Sequence, residues 1–153
     1  MAMKYHAVKA ITFLKLILNI IIIILYKHGD EGYFLGASFN KSRDAETLAA
    51  GIYVGFLIYN LINIISNFFD QESVRASVSE ILWNAVGFIL WLIAAGVVIH
   101  FWLRFIPANH YLNRNPKAKG IAMGSLTIVN SCLYLGEGIL AFMNYRKSNA
   151  EKY

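Results

Sequence analysis

The chain has 153 residues, of which 58% are hydrophobic and 15% are charged, whereas about 25% of the residues in a soluble domain are charged. Its formal net charge is +5, its mean hydropathy is +0.50, and it contains one cysteine and two prolines. This composition cannot supply the polar surface that a soluble domain of this size needs, and it excludes a dense disulfide scaffold and a disordered tail. The sequence therefore predicts a small integral membrane protein.

Four apolar stretches are long enough to cross a bilayer as α-helices, which takes roughly 20 residues. They lie at residues 8–26, 48–69, 81–103 and 120–143. A β-barrel is excluded because its strands alternate lipid-facing and lumen-facing residues, whereas residues 20–25 are apolar on every side. The chain is thus predicted to be one domain, an all-α membrane protein in which four transmembrane helices form a bundle with short loops.

The first predicted helix shares some features with a signal peptide. Lys4, Lys9 and Lys15 precede a short apolar core at residues 16–26 that contains no charged residue. No small-x-small cleavage site follows Tyr26, so we expect the helix to be retained as an anchor rather than cleaved. In that position Lys15 is expected to extend its aliphatic stem toward the inner surface of the membrane.

An even number of spans places both termini on one side, and an uncleaved first helix with lysines before it usually keeps the amino terminus in the cytoplasm. Basic residues are equally divided between the two sides, so the positive-inside rule does not decide the orientation. We expect inner tails at 1–7 and 144–153, outer loops at 27–47 and 104–119, and an inner loop at 70–79. Asn40 begins a glycosylation sequon, Asn40-Lys41-Ser42, on the first outer loop.

Small residues inside the predicted helices permit close packing in lipid, where burial of apolar area favours no contact. Each of the second and fourth helices carries one G-x-x-x-G pair, and the fourth repeats small residues every seven positions along one seam. The candidate packing residues are Gly51, Gly55, Gly120, Gly124, Ser131 and Gly138. They are interpreted as packing the four helices of one chain, with pairing between chains, as in a homo-oligomer, as the alternative.

Polar side chains inside the spans are the second informative set. Each helix contains at least one amide, and the second helix has three, spaced three and four residues apart. The amides are Asn19, Asn60, Asn63, Asn67, Asn84 and Asn130. Hydrogen bonding between helices explains such residues. A pore or substrate path is the alternative, but the amides are too scattered along the helices to favour it.

Glu137 is the one carboxylate within a predicted span, and Asn130 and Tyr134 share its helix face, roughly opposite the small-residue seam. A carboxylate there is costly unless it is paired or protonated. Counting inward from the helix ends places Glu137 and Lys15 in the same leaflet. We therefore hypothesise that they form an intramembrane ion pair, with a proton or cation relay as the alternative.

Motifs typical of enzymes are missing from the sequence. The four histidines are scattered singly, and no metal-ligand spacing or phosphate-binding loop is present, so we expect no cofactor and no metal. The basic residues form no single face, so nucleic acid is not an expected partner. The first outer loop carries Tyr33, Phe34, Leu35 and Phe39. These side chains are candidates for contact with another protein, or for lying on the membrane interface.

Several diffuse motifs, in matching order over nearly the whole chain, resemble the Snakeskin family of arthropod smooth septate junctions. They are Phe13-Leu14-Lys15-Leu16 with Leu25-Tyr26, Phe34-Leu35-Gly36, Asp44-Ala45-Glu46, the run Gly51 to Tyr59, Ser79-Glu80-Ile81 with Asn84 and Val86-Gly87, and Tyr134-Leu135 with Glu137. The resemblance implies cytoplasmic termini, residence in the lateral membrane of gut-type epithelia, and assembly with the membrane protein Mesh and a tetraspanin.

The resemblance also implies a non-enzymatic task, building the junction that restricts leakage between cells. Two alternatives from other classes remain at this point. One is a small transporter or channel subunit that uses Glu137, the amides and His100. The other is a vesicle-trafficking protein with four spans.

Overall fold

The computed structural model describes residues 2–28, 43–69, 78–105 and 116–150, and all of them are α-helical. The four helices are α1 (Ala2–His28), α2 (Arg43–Phe69), α3 (Val78–Phe105) and α4 (Pro116–Ala150). Each contains a segment that is long and apolar enough to cross a membrane. The predicted all-α bundle of four transmembrane helices is therefore confirmed for this part of the chain.

The helices are longer than the apolar stretches, because charged and proline residues at their ends favour the helix rather than ending it. Glu80 lies in the first turn of α3 and Arg104 in its last, where each complements the partial charge of the helix terminus. Pro116 begins α4, where proline is favourable because the backbone N–H of the first helical residue has no partner within the helix. The fourth helix continues past its apolar segment to Ala150, through residues that were predicted as an inner tail.

The outer surface of the bundle is apolar. Large side chains on every helix point outward, among them Phe13, Ile62 and Leu82, which are all more than half exposed. Apolar patches of this extent are unfavourable in water, whereas acyl chains cover them in a bilayer. The outward-facing apolar surface agrees with a membrane protein.

The helices follow one another around the bundle in chain order. α1 packs against α2 and α4, and α3 packs against α2 and α4, with the largest contact between α3 and α4. An aromatic cluster fills the centre, where the Tyr134 ring lies 5.1 Å from the ring of Phe56 and 6.1 Å from that of Trp91. Rings from α2, α3 and α4 thus meet at the axis.

The small residues of α4 lie against α3 and explain the size of that contact. A Cβ atom added at Gly120 would collide with the ring of Trp102, and one at Gly124 would collide with Ile99. At Gly138 it would come within 3.2 Å of the Cβ of Asn84. Farther along the same seam, the Ser131 hydroxyl donates to the backbone oxygen of Phe88 at 2.9 Å. The seam therefore packs helices within one chain.

Gly51 and Gly55 do not have this role. Both are exposed, and a Cβ atom added at either would meet no atom of another helix within 4 Å among the described residues. The reason is the rotation of α2, which turns Tyr53, Phe56 and Asn60 inward and leaves the two glycines on its outer face. The interpretation of this pair as packing residues within one chain is wrong.

The placement of the polar row on α4 also differs from the expectation. Tyr134 and Glu137 do not lie opposite the small-residue seam of α4. The polar residues and the seam both face the interior of the bundle. The seam contacts α3, while Glu137 reaches α1 and Tyr134 reaches α2. A helix packed between two neighbours turns a wide arc of its surface inward, so two rows of residues can be buried at once.

Candidate functional site

Among the residues that the structure describes, nine polar or charged side chains are buried inside the bundle, and we call this group the polar core. Its members are Thr12, Lys15, Asn19, Asn60, Asn84, Thr127, Asn130, Ser131 and Glu137. All four helices contribute to it. The outer surface is apolar, and the interior combines these polar groups with the aromatic cluster.

The α1 residues of the polar core lie on one face because of their spacing. Thr12, Lys15 and Asn19 are separated by three and four residues, which places them one above another on a helix. Lys15 is 0% exposed. It therefore does not extend toward the membrane surface as its flexible stem suggested. The carboxylate of Glu137 lies close enough to hold it inside the bundle.

Lys15 and Glu137 form the ion pair that their depth in the membrane predicts, between Nζ and Oε2. The second carboxylate oxygen, Oε1, accepts a hydrogen bond from the Thr12 hydroxyl at 2.8 Å. Removing two charges from water is costly, and a buried pair is tolerated only when further hydrogen bonds satisfy its remaining groups. Thr12 supplies one of these on the carboxylate side.

The ammonium side of the pair has its own partners. Lys15 Nζ donates to Oδ1 of Asn84 at 3.3 Å and lies 3.9 Å from the centre of the Tyr134 ring, a cation–π contact. Asn84 is oriented for this because its Nδ2 donates to the backbone oxygen of Glu80 at 3.0 Å, one turn earlier on α3. The Lys15 ammonium thus joins α1, α3 and α4.

Two further hydrogen bonds tie α2 to α4. The Tyr134 hydroxyl donates to Oδ1 of Asn60 at 2.9 Å, and the Tyr53 hydroxyl and Thr127 Oγ1 are 3.2 Å apart. Since α2 and α4 lie diagonally across the bundle, as do α1 and α3, polar side chains bridge both diagonals. The polar core therefore holds all four helices in one register.

The other predicted site residues are placed as follows. Of the three amides on α2, Asn60 belongs to the polar core, Asn63 is half-buried, and the side chain of Asn67 is outside the described set. The loop residues Tyr33, Phe34, Leu35 and Phe39 and the sequon at Asn40 also lie outside the described residues. His100 is exposed at the carboxyl end of α3, and Cys132 is exposed on α4.

Three contributors to the site were missed in the sequence. Thr12 could have been found as a polar residue one turn before Lys15 on the same face. Gly87 lies one turn after Asn84, and a Cβ atom there would come within 2.6 Å of the Tyr134 ring. Tyr53 gave no signal, because aromatic residues are frequent throughout these helices.

Neither a metal centre nor a nucleophilic constellation emerges from the helices. In the described ranges, no group of three or more His, Cys, Asp or Glu side chains could hold a metal ion. What the polar core does physically is to fix helices against each other through an ion pair and hydrogen bonds. Fold and site together define a membrane protein with four spans and a polar interior.

Comparison with known proteins gives the family. No model of a known protein family matches the chain, and no solved structure matches it. The chain is 39% identical over 145 residues to Protein snakeskin of Drosophila melanogaster, with 90% of both chains covered. It is 34% identical over 140 residues to Protein snakeskin of Bombyx mori, covering 87% of this chain and 89% of that protein. The chain belongs to the snakeskin family.

Proposed function

We propose that the chain is a non-enzymatic membrane component of smooth septate junctions, needed for junction assembly and for the paracellular barrier of gut-type epithelia. Membership of the snakeskin family supports this, together with the septate-junction motifs recognised in the sequence. The proposal includes residence in the lateral membrane with both termini in the cytoplasm. Its partners are other junction membrane proteins, namely Mesh and a tetraspanin.

One structural observation carries the assembly part of the proposal, the outward G-x-x-x-G pair of α2. In α4, side chains of α3 already occupy the space beside the corresponding pair, Gly120 and Gly124. Gly51 and Gly55 are open on the lipid side. Small residues on a lipid-facing helix allow another backbone to approach closely, which is a principal source of association in membranes.

Glu137 supports a structural function over transport. Its carboxylate contacts Lys15 and Thr12, so its charge is engaged in holding α1 to α4. The short outer loops cannot bridge the space between two cells by themselves. In the proposal, lateral assembly through α2 concentrates larger partners, and the loop residues Tyr33, Phe34, Leu35 and Phe39 contribute contacts to them.

The test is to remove the protein from a polarised gut-type epithelium and then to re-express it. Complete loss is expected to disperse the partner proteins and to make the tissue permeable to a tracer. Re-expressed wild-type protein restores both. An intact barrier with unchanged partner positions after complete loss would overturn the proposed function.

A variant experiment isolates the α2 surface. Gly51→Leu/Gly55→Leu is expected to accumulate in the membrane normally but to fail in recruiting partners and restoring the barrier. The matched control is Gly96→Leu. Gly96 of α3 is likewise exposed, and a Cβ atom added there would meet no atom of another helix within 4 Å among the described residues. If the double variant restores the barrier as well as wild type does, the α2 surface has no part in assembly.

A further inference from the structure

Two members of the polar core have no hydrogen-bonding partner among the described residues. Asn19 on α1 and Asn130 on α4 are each 0% exposed, and in both side chains neither the oxygen nor the nitrogen is satisfied by the described part of the protein. The hydrocarbon around the bundle offers no donor or acceptor to replace a missing one. Buried polar groups in folded proteins are nearly always bonded to protein or to ordered water.

The two amides lie at nearly the same depth in the bundle. Asn19 follows Lys15 by four residues, and Asn130 precedes Glu137 by seven. With a rise of about 1.5 Å per residue, they are about 6 Å and 10 Å from the ion pair along their helices. Because successive spans run in opposite directions, both displacements point toward the same membrane surface. Asn19 and Asn130 therefore belong to one level of the α1–α4 contact.

A third buried amide also lacks one hydrogen-bonding partner among the described residues. Asn60 is 0% exposed, and its oxygen accepts from Tyr134, but its nitrogen has no acceptor among the described residues. Each asparagine brings two N–H donors and one oxygen with two lone pairs. Since Tyr134 already occupies one lone pair, the donors of the three amides outnumber the lone pairs they could share. Direct bonds between amides therefore cannot satisfy them all.

We infer that bound water occupies a site inside the bundle, between α1 and α4, with Asn19 and Asn130 as its direct ligands. Water fits because each molecule supplies two acceptor lone pairs and typically makes about three hydrogen bonds to such groups. The nitrogen of Asn60 donates to the same water cluster. The site begins about one helical turn from the Lys15–Glu137 pair, so the middle of the bundle is hydrated although its outer surface faces lipid.

The test uses the full chain in lipid bilayers, with isotopically labelled asparagine and proton-detected solid-state NMR. Magnetisation is transferred from water to the protein, and its arrival at each side-chain amide is timed. The amides of Asn19 and Asn130 are expected to gain signal several-fold faster than the backbone amide of Ile89, an outward-facing residue of α3. The variants Asn19→Leu and Asn130→Leu serve to assign the two signals.

The transfer is measured on the wild-type chain, and if a variant folds poorly, correlation of each side-chain amide with its own backbone signals assigns it instead. Rapid transfer to both amides supports the hydrated site. Transfer as slow as that to Ile89 would overturn it. Cross-peaks between the side-chain protons of Asn19 and Asn130 without fast transfer from water would also overturn it, because the amides would then bond directly to each other.

Discussion

The Lys15–Glu137 ion pair gives the sharpest test of how this bundle is held together. Replacing Glu137 with Gln keeps the shape and an acceptor for Thr12 but leaves the Lys15 ammonium without its counter-charge. The Asn84 oxygen and the Tyr134 ring would remain in contact with that charge, but neither is an anion. Both partners are at most 1% exposed, so bulk water cannot replace the lost partner. Breaking such a buried pair costs about 3–5 kcal/mol.

The converse change, Lys15→Met, leaves the carboxylate buried beside Thr12 and is expected to cost about the same. The double variant Lys15→Met/Glu137→Gln contains no buried charge, so its free energy of unfolding should return to within about 1–2 kcal/mol of wild type. Denaturant titration in detergent micelles, followed by the fluorescence of the three tryptophans, of which Trp91 and Trp102 are buried, measures these values. Lys117→Met is the control, since the Lys117 ammonium at the start of α4 donates an exposed hydrogen bond to the backbone oxygen of Leu103 at the end of α3.

A clear result would refute this account of the ion pair. If each single substitution lowers the free energy of unfolding by less than about 1 kcal/mol, the pair does not hold α1 to α4. Additive effects in the double variant would lead to the same conclusion, because costs of about 3–5 kcal/mol for each single change and at most about 2 kcal/mol for both together imply a departure from additivity of at least about 4 kcal/mol. Lys117→Met should stay within about 0.5 kcal/mol of wild type.

Three more outcomes are expected, two from contacts and one from the sequon. Gly124→Leu should lower the free energy of unfolding by about 1–3 kcal/mol because its side chain overpacks the α3 contact, whereas Gly51→Leu should leave the isolated protein's stability nearly unchanged. Tyr134→Phe removes the bond to Asn60, and the same titration should show a loss of about 1 kcal/mol. Asn40→Gln should abolish a glycosidase-sensitive mass shift of protein made in insect cells; labelling of that loop from the cytosol would contradict the predicted topology.

The number and type of the elements could be predicted from the sequence, because a membrane span is a local property. An apolar run of sufficient length has to satisfy its own backbone groups in lipid, and an α-helix does so within one segment. The same reasoning explains the success with Lys15 and Glu137. Their depths follow from counting residues along two helices, and opposite charges at one depth in hydrocarbon favour a pair.

The direction in which each helix face points is what the sequence left undecided. The second and fourth helices carry the same G-x-x-x-G pattern, yet Gly120 and Gly124 are packed against α3 while Gly51 and Gly55 face outward. In a soluble helix the apolar stripe shows which side is buried. A membrane helix is apolar around its whole circumference, so that guide is lost.

The sequence by itself therefore determined the surrounding solvent, the four helices and the matching depths of Lys15 and Glu137. Only the tertiary structure decided the order of the helices around the bundle and the rotation of each about its axis. Those two properties bring Thr12, Asn84 and Tyr134 to the ion pair. They also bury Asn19 at about the same depth in the bundle as Asn130. They depend on contacts between residues far apart in the chain, and such contacts leave no local pattern of composition or spacing.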